Sequence, residues 1–506
     1  MLNLQPSSFE EFEREAGRGN VVPVVRSILA DLQTPVGALL RLAGDAPHSF
    51  LLESVEGGER VARYSFVGAA PEMVVRGRGG ETLIERGGAV ETRPMRATDF
   101  LREHFRGRKL AARAGLPPLA GGAVGYLAYE AARWFEPALD RSLARDPRHG
   151  GADDAVWMFY RTVLAFDRAR QRIEIVSVVL TEEAEGSRAR LRELYERAVE
   201  ETTRVETALL EGTTHAPRAA GVAAGDAAPA AFNANFTRED FERAVRRAKE
   251  HIAAGDCYQV VLSQRFSKRV GAGPLSLYRA LRATNPSPYL FYLRLGDESI
   301  IGASPEMLVR CRGPRLDYRP IAGTRPRGAD EAEDLALGDE MRADEKEVAE
   351  HTMLVDLGRN DLGRVAEVGS VTVDELMAVE RYSHVQHLVT ALGARLREGL
   401  DRFDALASCF PAGTVTGAPK VSAMRIIAGL EPAARGVYAG AVVYADYADN
   451  LDSCIAIRTI HMRGDEVSIQ AGAGVVADSD PAREYEETLN KARALFAAVE
   501  LAERGL

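Results

Sequence analysis

The chain has 506 residues, 46% of them hydrophobic and 27% charged, a balance ordinary for a globular protein of two or more domains. A net charge of −10 and a pI of about 5.6, without basic clusters, argue against nucleic acid and anionic membrane surfaces as partners. Four dispersed cysteines (Cys257, Cys311, Cys409 and Cys454) exclude a disulfide framework and read as buried free thiols of a cytoplasmic protein.

Residues 1–17 carry four glutamates and no apolar run, so they do not read as a secretion signal. No stretch approaches the roughly 20 apolar residues of a membrane span. Strands are expected over 39–42, 50–54 and 173–180, the last preceded by a turn at 167–171 that suggests a hairpin. A Glu- and Arg-rich surface helix over 182–211 closes an N-terminal part, 1–211, of mixed α and β character. The Ala/Gly/Pro-rich stretch 212–236 has almost no large apolar residues, cannot bury enough surface to order itself, and reads as a linker. The C-terminal part, 237–506, opens on Thr237 as the N-cap of a helix through 241–253. Strands are expected over 259–266, 289–295 and 299–310, then a meander of 438–446, 454–463 and 467–473. Helices and strands come in runs rather than in βαβ alternation. The expected class is therefore α+β, with large antiparallel sheets covered by helices.

The chemistry concentrates in the C-terminal part. Residues 318–327, with two prolines and a Gly323-Thr324 step, read as a tight turn that exposes its backbone. Beyond it, Glu347, Glu350 and His351 stand at i, i+3 and i+4 and share one helix face. Glu484 and Glu487 repeat the carboxylate spacing at the start of the last helix. Taken singly, such a pair is ordinary surface charge, and Glu487 has Lys491 four residues on. Two pairs in motif-dense segments point to one shared hard cation, Mg²⁺, with one glutamate of each pair binding directly and the other through water. His384 and His387 carry the side chain best suited to proton transfer near neutral pH. Residues 413–420 resemble a phosphate loop only in outline, because Ala418-Pro419 precedes Lys420 and no hydroxyl residue follows it. Backbone amides there, and at Gly472-Ala473-Gly474, suit a carboxylate. Arg458, expected inside a strand, is a poor core residue unless it meets an anion. Together these features suit a small polycarboxylate bound partly through metal.

The segments PIAGTRPRG, DEKEVAEHTMLVDLGRNDLGRV, YSHVQHLV, CFPAGTVTGAPK, GVYAGAVVY, CIAIRT, QAGAGVVADSDP and EETLNKARA resemble, in this order, the motifs of the chorismate-utilising enzymes, from about residue 237 to the end. The resemblance implies an αββα-type fold with the site between two sheets. The family's p-aminobenzoate branch carries a lysine where this chain has Ala322. The isochorismate and salicylate branch carries a lysine base where it has Gln259. The chain therefore resembles the anthranilate-forming branch, with the p-aminobenzoate branch as the alternative. That branch adds ammonia to chorismate and eliminates pyruvate, the first step of tryptophan biosynthesis. The resemblance implies Glu350 and Glu487 as direct Mg²⁺ ligands, with Glu347 and Glu484 acting through water. It implies Gly323, Thr324, Tyr438, Arg458, Gly472, Ala473, Gly474 and Lys491 as chorismate contacts. His387 is then the proton-transfer residue, with His384 in reserve. Leu51-Leu52-Glu53-Ser54, Arg63-Tyr64-Ser65 and the segment 285–291 resemble a feedback site for L-tryptophan, which implies contacts from Glu53, Ser54 and the backbone of Pro288, Tyr289 and Leu290. No cysteine sits in a nucleophile elbow, so a separate glutamine amidotransferase subunit, in a heterotetramer, is expected to supply the ammonia.

Overall fold

Strands such as Gly122–Leu127 and Ala155–Tyr160 are buried at every residue. A strand of that kind needs a packed layer on each face of its sheet. The computed structural model, which describes residues 4–54, 63–143, 152–211, 232–382 and 385–505, provides both layers. Among the described residues the strands form two antiparallel sheets, of 13 and 12 strands. Between them lies a core of Phe50, Phe66 and Phe291 from the first sheet and Val124, Met158 and Tyr444 from the second. Helices Pro35–Ala43, Arg188–Glu211, Pro274–Thr284 and Pro481–Glu503 cover the outer face of the first sheet around Leu39, Leu209, Leu281 and Leu495. Helices Ala97–Phe105 and Arg402–Cys409 cover the second, around Phe105, Trp157 and Phe403. The α+β expectation of helix-covered antiparallel sheets holds.

Residues before and after 212–236 share both sheets. His48–Glu53 pairs with Tyr289–Leu295, Leu52 lying opposite Phe291. Gly122–Leu127 pairs with Ala441–Asp446, Val124 lying opposite Tyr444. Most of the expected linker, 212–231, lies outside the described residues, and Asn233–Ala234 pairs with Ser267 and Phe266. No helix among the described residues is long and apolar enough to cross a membrane. All four cysteines are buried and free.

Several elements differ from the sequence expectation. Residues 39–42 are helical: Thr34 caps helix Pro35–Ala43 by accepting from Gly37 N, Pro35 starts it, and Leu39 is buried. A short apolar run fits a strand or a buried helix equally well until its cap is seen. The expected strand 299–310 is two strands, Glu298–Ser304 and Met307–Arg312, divided at Pro305 and lying in different sheets. The C-terminal meander is likewise two hairpins. Ala441–Asp446 with Asn450–Ile455 belongs to the second sheet, and Thr459–Arg463 with Glu466–Val475 to the first. Arg458 therefore sits between strands rather than within one. The turn expected over 318–327 contains an edge strand, Ile321–Pro326, whose register is irregular between Ala322 and Arg325. The expected helix 182–211 starts at Arg188, after a short 3₁₀ turn, Thr181–Ala184. The Thr237 cap, the hairpin through 167–171 and the strand over 289–295 are as expected.

Trp157 is fully buried in the core beneath the second sheet. Trp157→Ala is expected to cost about 3–5 kcal/mol through lost transfer energy and the residual cavity. The check is a lowered urea midpoint, and an unchanged midpoint would contradict the packing described.

Candidate active site

Two short crossings between the sheets build the centre of the site. Pro305 and Glu306 carry the chain from Glu298–Ser304 in the first sheet to Met307–Arg312 in the second. Ala456, Ile457 and Arg458 carry it back, from Asn450–Ile455 to Thr459–Arg463. The crossings lie side by side: Ala303 N donates to Arg458 O, and Ile455 N to Glu306 O, each at 3.1 Å. Arg458 has φ +50°, a left-handed conformation that an L residue keeps only where its surroundings impose it. Its half-buried guanidinium makes no hydrogen bond or ion pair with a described residue. Beside it, Glu306 accepts from Thr414 Oγ1 at 3.0 Å. Burial pushes the Glu306 carboxyl above its ordinary pKa, against the opposing pull of the Thr414 hydroxyl, Lys491 and Arg458. Sequence reasoning missed Glu306 and Thr414. The available signal was Pro305, which cannot donate to a ladder and so interrupts the strand expected there.

A second wall comes from strand Glu466–Val475, which pairs with Gln259–Arg269 so that Gly472 faces Ser263 and Gly474 faces Val261. The Tyr438 hydroxyl lies so close that a Cβ on Gly472 would stand 2.7 Å from it and 2.9 Å from Leu262 O. A Cβ on Gly474 would stand 2.7 Å from Gln259 Nε2. Close approach to backbone requires glycine at 472, whereas at 474 the Gln259 side chain could give way. Burial pushes the Tyr438 phenol up to about 12, so it stays a hydrogen-bond donor. Lys491 Nζ donates to Gly472 O at 3.0 Å and pairs with Glu487 at 2.7 Å.

His387 stands on strand Val385–Arg395, beside the edge strand that carries Gly323 and Thr324. Its Nδ1–H donates to Gly323 O at 2.7 Å, with Thr324 Oγ1 3.2 Å from the same nitrogen. That bond leaves Nε2 as the nitrogen with a free lone pair. Burial lowers the His387 pKa. The Gly323 bond opposes this, Arg458 adds to it, and Glu380 opposes. His384 lies outside the described residues.

The four glutamates lie on helices Glu345–Gly363 and Pro481–Glu503, started by Asp344 and Asp480 caps. Glu347 pairs with Arg325 at 3.0 Å. Burial raises the Glu350 pKa, and Glu347 and Glu487 raise it further. Burial also raises that of Glu484; its bond to Ser479 opposes this and Glu487 adds to it. Glu484 Oε2 is buried with no hydrogen-bond partner. Each pair therefore feels the other, and an orphaned oxygen and repelling carboxylates are what an all-oxygen site for a hard cation looks like chemically. Among the described residues no three His, Cys, Asp or Glu side chains stand close enough together to hold a metal ion. Arg325 and Lys491 engage Glu347 and Glu487 instead.

A separate cavity of about 750 Å³ is lined by Leu52, Ser54, Pro288, Tyr289, Leu290 and Asp452, among others. Ser54 Oγ is buried there without a partner. Tyr289 OH donates to Asp452 Oδ1 at 3.3 Å and accepts from Arg310 at 3.1 Å. Glu53 also borders the cavity, but its carboxylate is held by Tyr278 OH at 2.6 Å and Arg282 Nε at 2.8 Å, from the helix covering the first sheet. The Leu290 side chain belongs to that same helix-side core, so its backbone is what it offers the cavity.

Comparison with known proteins agrees with this architecture. A family model described as chorismate binding enzyme matches residues 47–497. Anthranilate synthase component 1 of Pseudomonas aeruginosa is 46% identical over 506 residues, covering 98% of this chain and 99% of that protein. The protein of the same name from Streptomyces coelicolor is 47% identical over 490 residues, covering 96% and 90%. The crystal structure of anthranilate synthase component I from Streptococcus pneumoniae superposes with a TM-score of 0.70 at 36% identity, covering 92% and 98%. The menaquinone-specific isochorismate synthase of Escherichia coli, at 21% identity and a TM-score of 0.67 over 98% and 99%, shares the fold. The family match spans most of the chain and the relatives align along nearly all of it: the chain belongs to the chorismate-binding enzyme family.

Proposed function

We propose that this chain is a cytoplasmic, Mg²⁺-dependent enzyme that aminates chorismate with ammonia and eliminates pyruvate to give anthranilate. A glutamine amidotransferase subunit, in a heterotetramer, supplies the ammonia, and L-tryptophan is the feedback inhibitor. The observation that carries the reading is Arg458, a half-buried guanidinium on a left-handed backbone that makes no hydrogen bond with a described residue and lies close enough to Glu306 and His387 to interact with both electrostatically. Arginine matches a carboxylate bidentately, and chorismate has two carboxylates.

Arg458 holds the enolpyruvyl carboxylate, and the Gly472–Gly474 strand with the Tyr438 hydroxyl takes the ring carboxylate. Glu350 and Glu487, with Glu347 and Glu484 behind them, would hold Mg²⁺, which when bound would supply Lewis-acid withdrawal of electron density from that carboxylate. Ammonia then adds at ring C2, the double bonds shift, and the C4 hydroxyl departs. Glu306, protonated more readily than an ordinary carboxyl, gives its proton to that hydroxyl, which leaves as water. His387 Nε2 takes the C2 proton as the C3–O bond breaks. Enolpyruvate leaves, is protonated to pyruvate, and the ring becomes aromatic. Ala322 and Gln259 place no amine in the cleft to compete with ammonia.

Fluorescence of the purified chain with chorismate, Mg²⁺ and ammonium at alkaline pH tests the reaction. Anthranilate is expected, falling when L-tryptophan is added, whereas an aminodeoxychorismate product would move the chain to the p-aminobenzoate branch. His387→Met is expected to slow elimination more than addition, so aminodeoxyisochorismate accumulates. Its absence would remove His387 from that step. A lowered folded pKa keeps His387 neutral through the neutral range. The His387-dependent loss of kcat/KM is therefore expected on the acid side of the ordinary value of about 6.5, and that limb should vanish in the variant. Ser54→Ala is expected to leave anthranilate formation intact and weaken tryptophan inhibition about tenfold or more, because a buried hydroxyl that meets a polar ligand group is lost. Unchanged inhibition would place the effector elsewhere.

A further inference from the structure

Helix Lys420–Leu430 ends at Glu431, and four residues on Arg435 is only 3% exposed. All three of its guanidinium nitrogens are engaged. Nε and Nη2 bond Glu431 at 2.9 and 2.7 Å, Nη1 donates to Val415 O at 2.7 Å, and Nη2 to Val261 O at 2.7 Å. The guanidinium carbon lies 4.6 Å from the Tyr129 ring centroid and 5.5 Å from that of Tyr438. Replacing a buried ion pair by apolar groups is often neutral or stabilising, so stability alone does not account for this network.

What Arg435 holds is the wall of the cleft. Val261 pairs with Gly474 in the ladder. Val415 follows Thr414, which holds Glu306. Tyr438, whose hydroxyl abuts Gly472, precedes Ala439 at φ +63°. A left-handed alanine persists only where its surroundings impose that conformation, so the segment that carries Tyr438 is held from outside.

We infer that Arg435 is a positioning residue: it holds the Tyr438 hydroxyl against the Gly472–Gly474 wall and acts on the substrate through that hydroxyl, without touching it. The inference rests on the reading of Tyr438 as a chorismate contact.

A double-mutant cycle on the full chain tests it, using Arg435→Lys, Tyr438→Phe and the pair, with kcat and KM for chorismate and ammonium and a melting temperature for each. Lysine keeps the charge and loses the fork. The expected result is a loss of about tenfold in kcat/KM for Arg435→Lys in the parent and less than about threefold in the Tyr438→Phe background. Equal losses in both backgrounds, at matched melting temperatures, overturn the role of Arg435 and leave that of Tyr438 standing. An unchanged kcat/KM for Tyr438→Phe alone overturns the substrate contact and the inference with it. If Arg435→Lys does not fold, Glu431→Gln, which keeps the cation and loosens its fork, is judged by the same criterion.

Discussion

The placement of Glu306 and Arg458 depends on two backbone hydrogen bonds between adjacent sheet crossings, Ala303 N to Arg458 O and Ile455 N to Glu306 O. A strand that changes sheets must leave one ladder before it joins the next, and its freed backbone groups need partners. Here each crossing supplies partners for the other. The two bonds bring Glu306 and Arg458 together from strands far apart in sequence. They also hold Arg458 at a φ it would not otherwise keep. An acid and an arginine fixed this way need little rearrangement when a charged substrate arrives, the preorganisation that electrostatic catalysis requires.

Burial is the shared cause of the unusual protonation in the site. It raises Glu306, Glu350 and Glu484 and lowers His387 and Arg458, in each case favouring the uncharged form. On the proposed reading, a dicarboxylate would add to the counter-charge that Glu306 gives Arg458, and a cation would offset the repulsion among the glutamates.

The sequence is most legible where the information is local. Thr237 caps the helix it precedes, and the i, i+3 glutamates occupy the two expected helices. The motif order points to the family, and the antiparallel, helix-covered sheets follow. What could not be read depends on tertiary context. Residues 39–42 are too short an apolar run for periodicity to separate helix from strand. The breaks at Pro305 and Arg458 are set by which sheet each strand finally joins, which no local window contains. Glu306 meets Thr414 across 108 positions of sequence, and Arg435 reaches Val261 across 174. Neither contact carries a spacing signal, and only Pro305 marks the strand break beside Glu306. The Glu53 carboxylate points to the helix side because side chains alternate along a strand, and the register that decides its face is set by pairing with residues 290–295.

The sharing of both sheets between early and late strands has a consequence for how the chain is made. His48–Glu53 and Gly122–Leu127 leave the ribosome long before Tyr289–Leu295 and Ala441–Asp446 exist to pair with them. Until then each early strand presents an open apolar edge of the kind that recruits other chains. Neither half can close its sheets by itself. The nascent protein therefore carries these unpaired edges through much of its synthesis, the condition under which aggregation competes with folding.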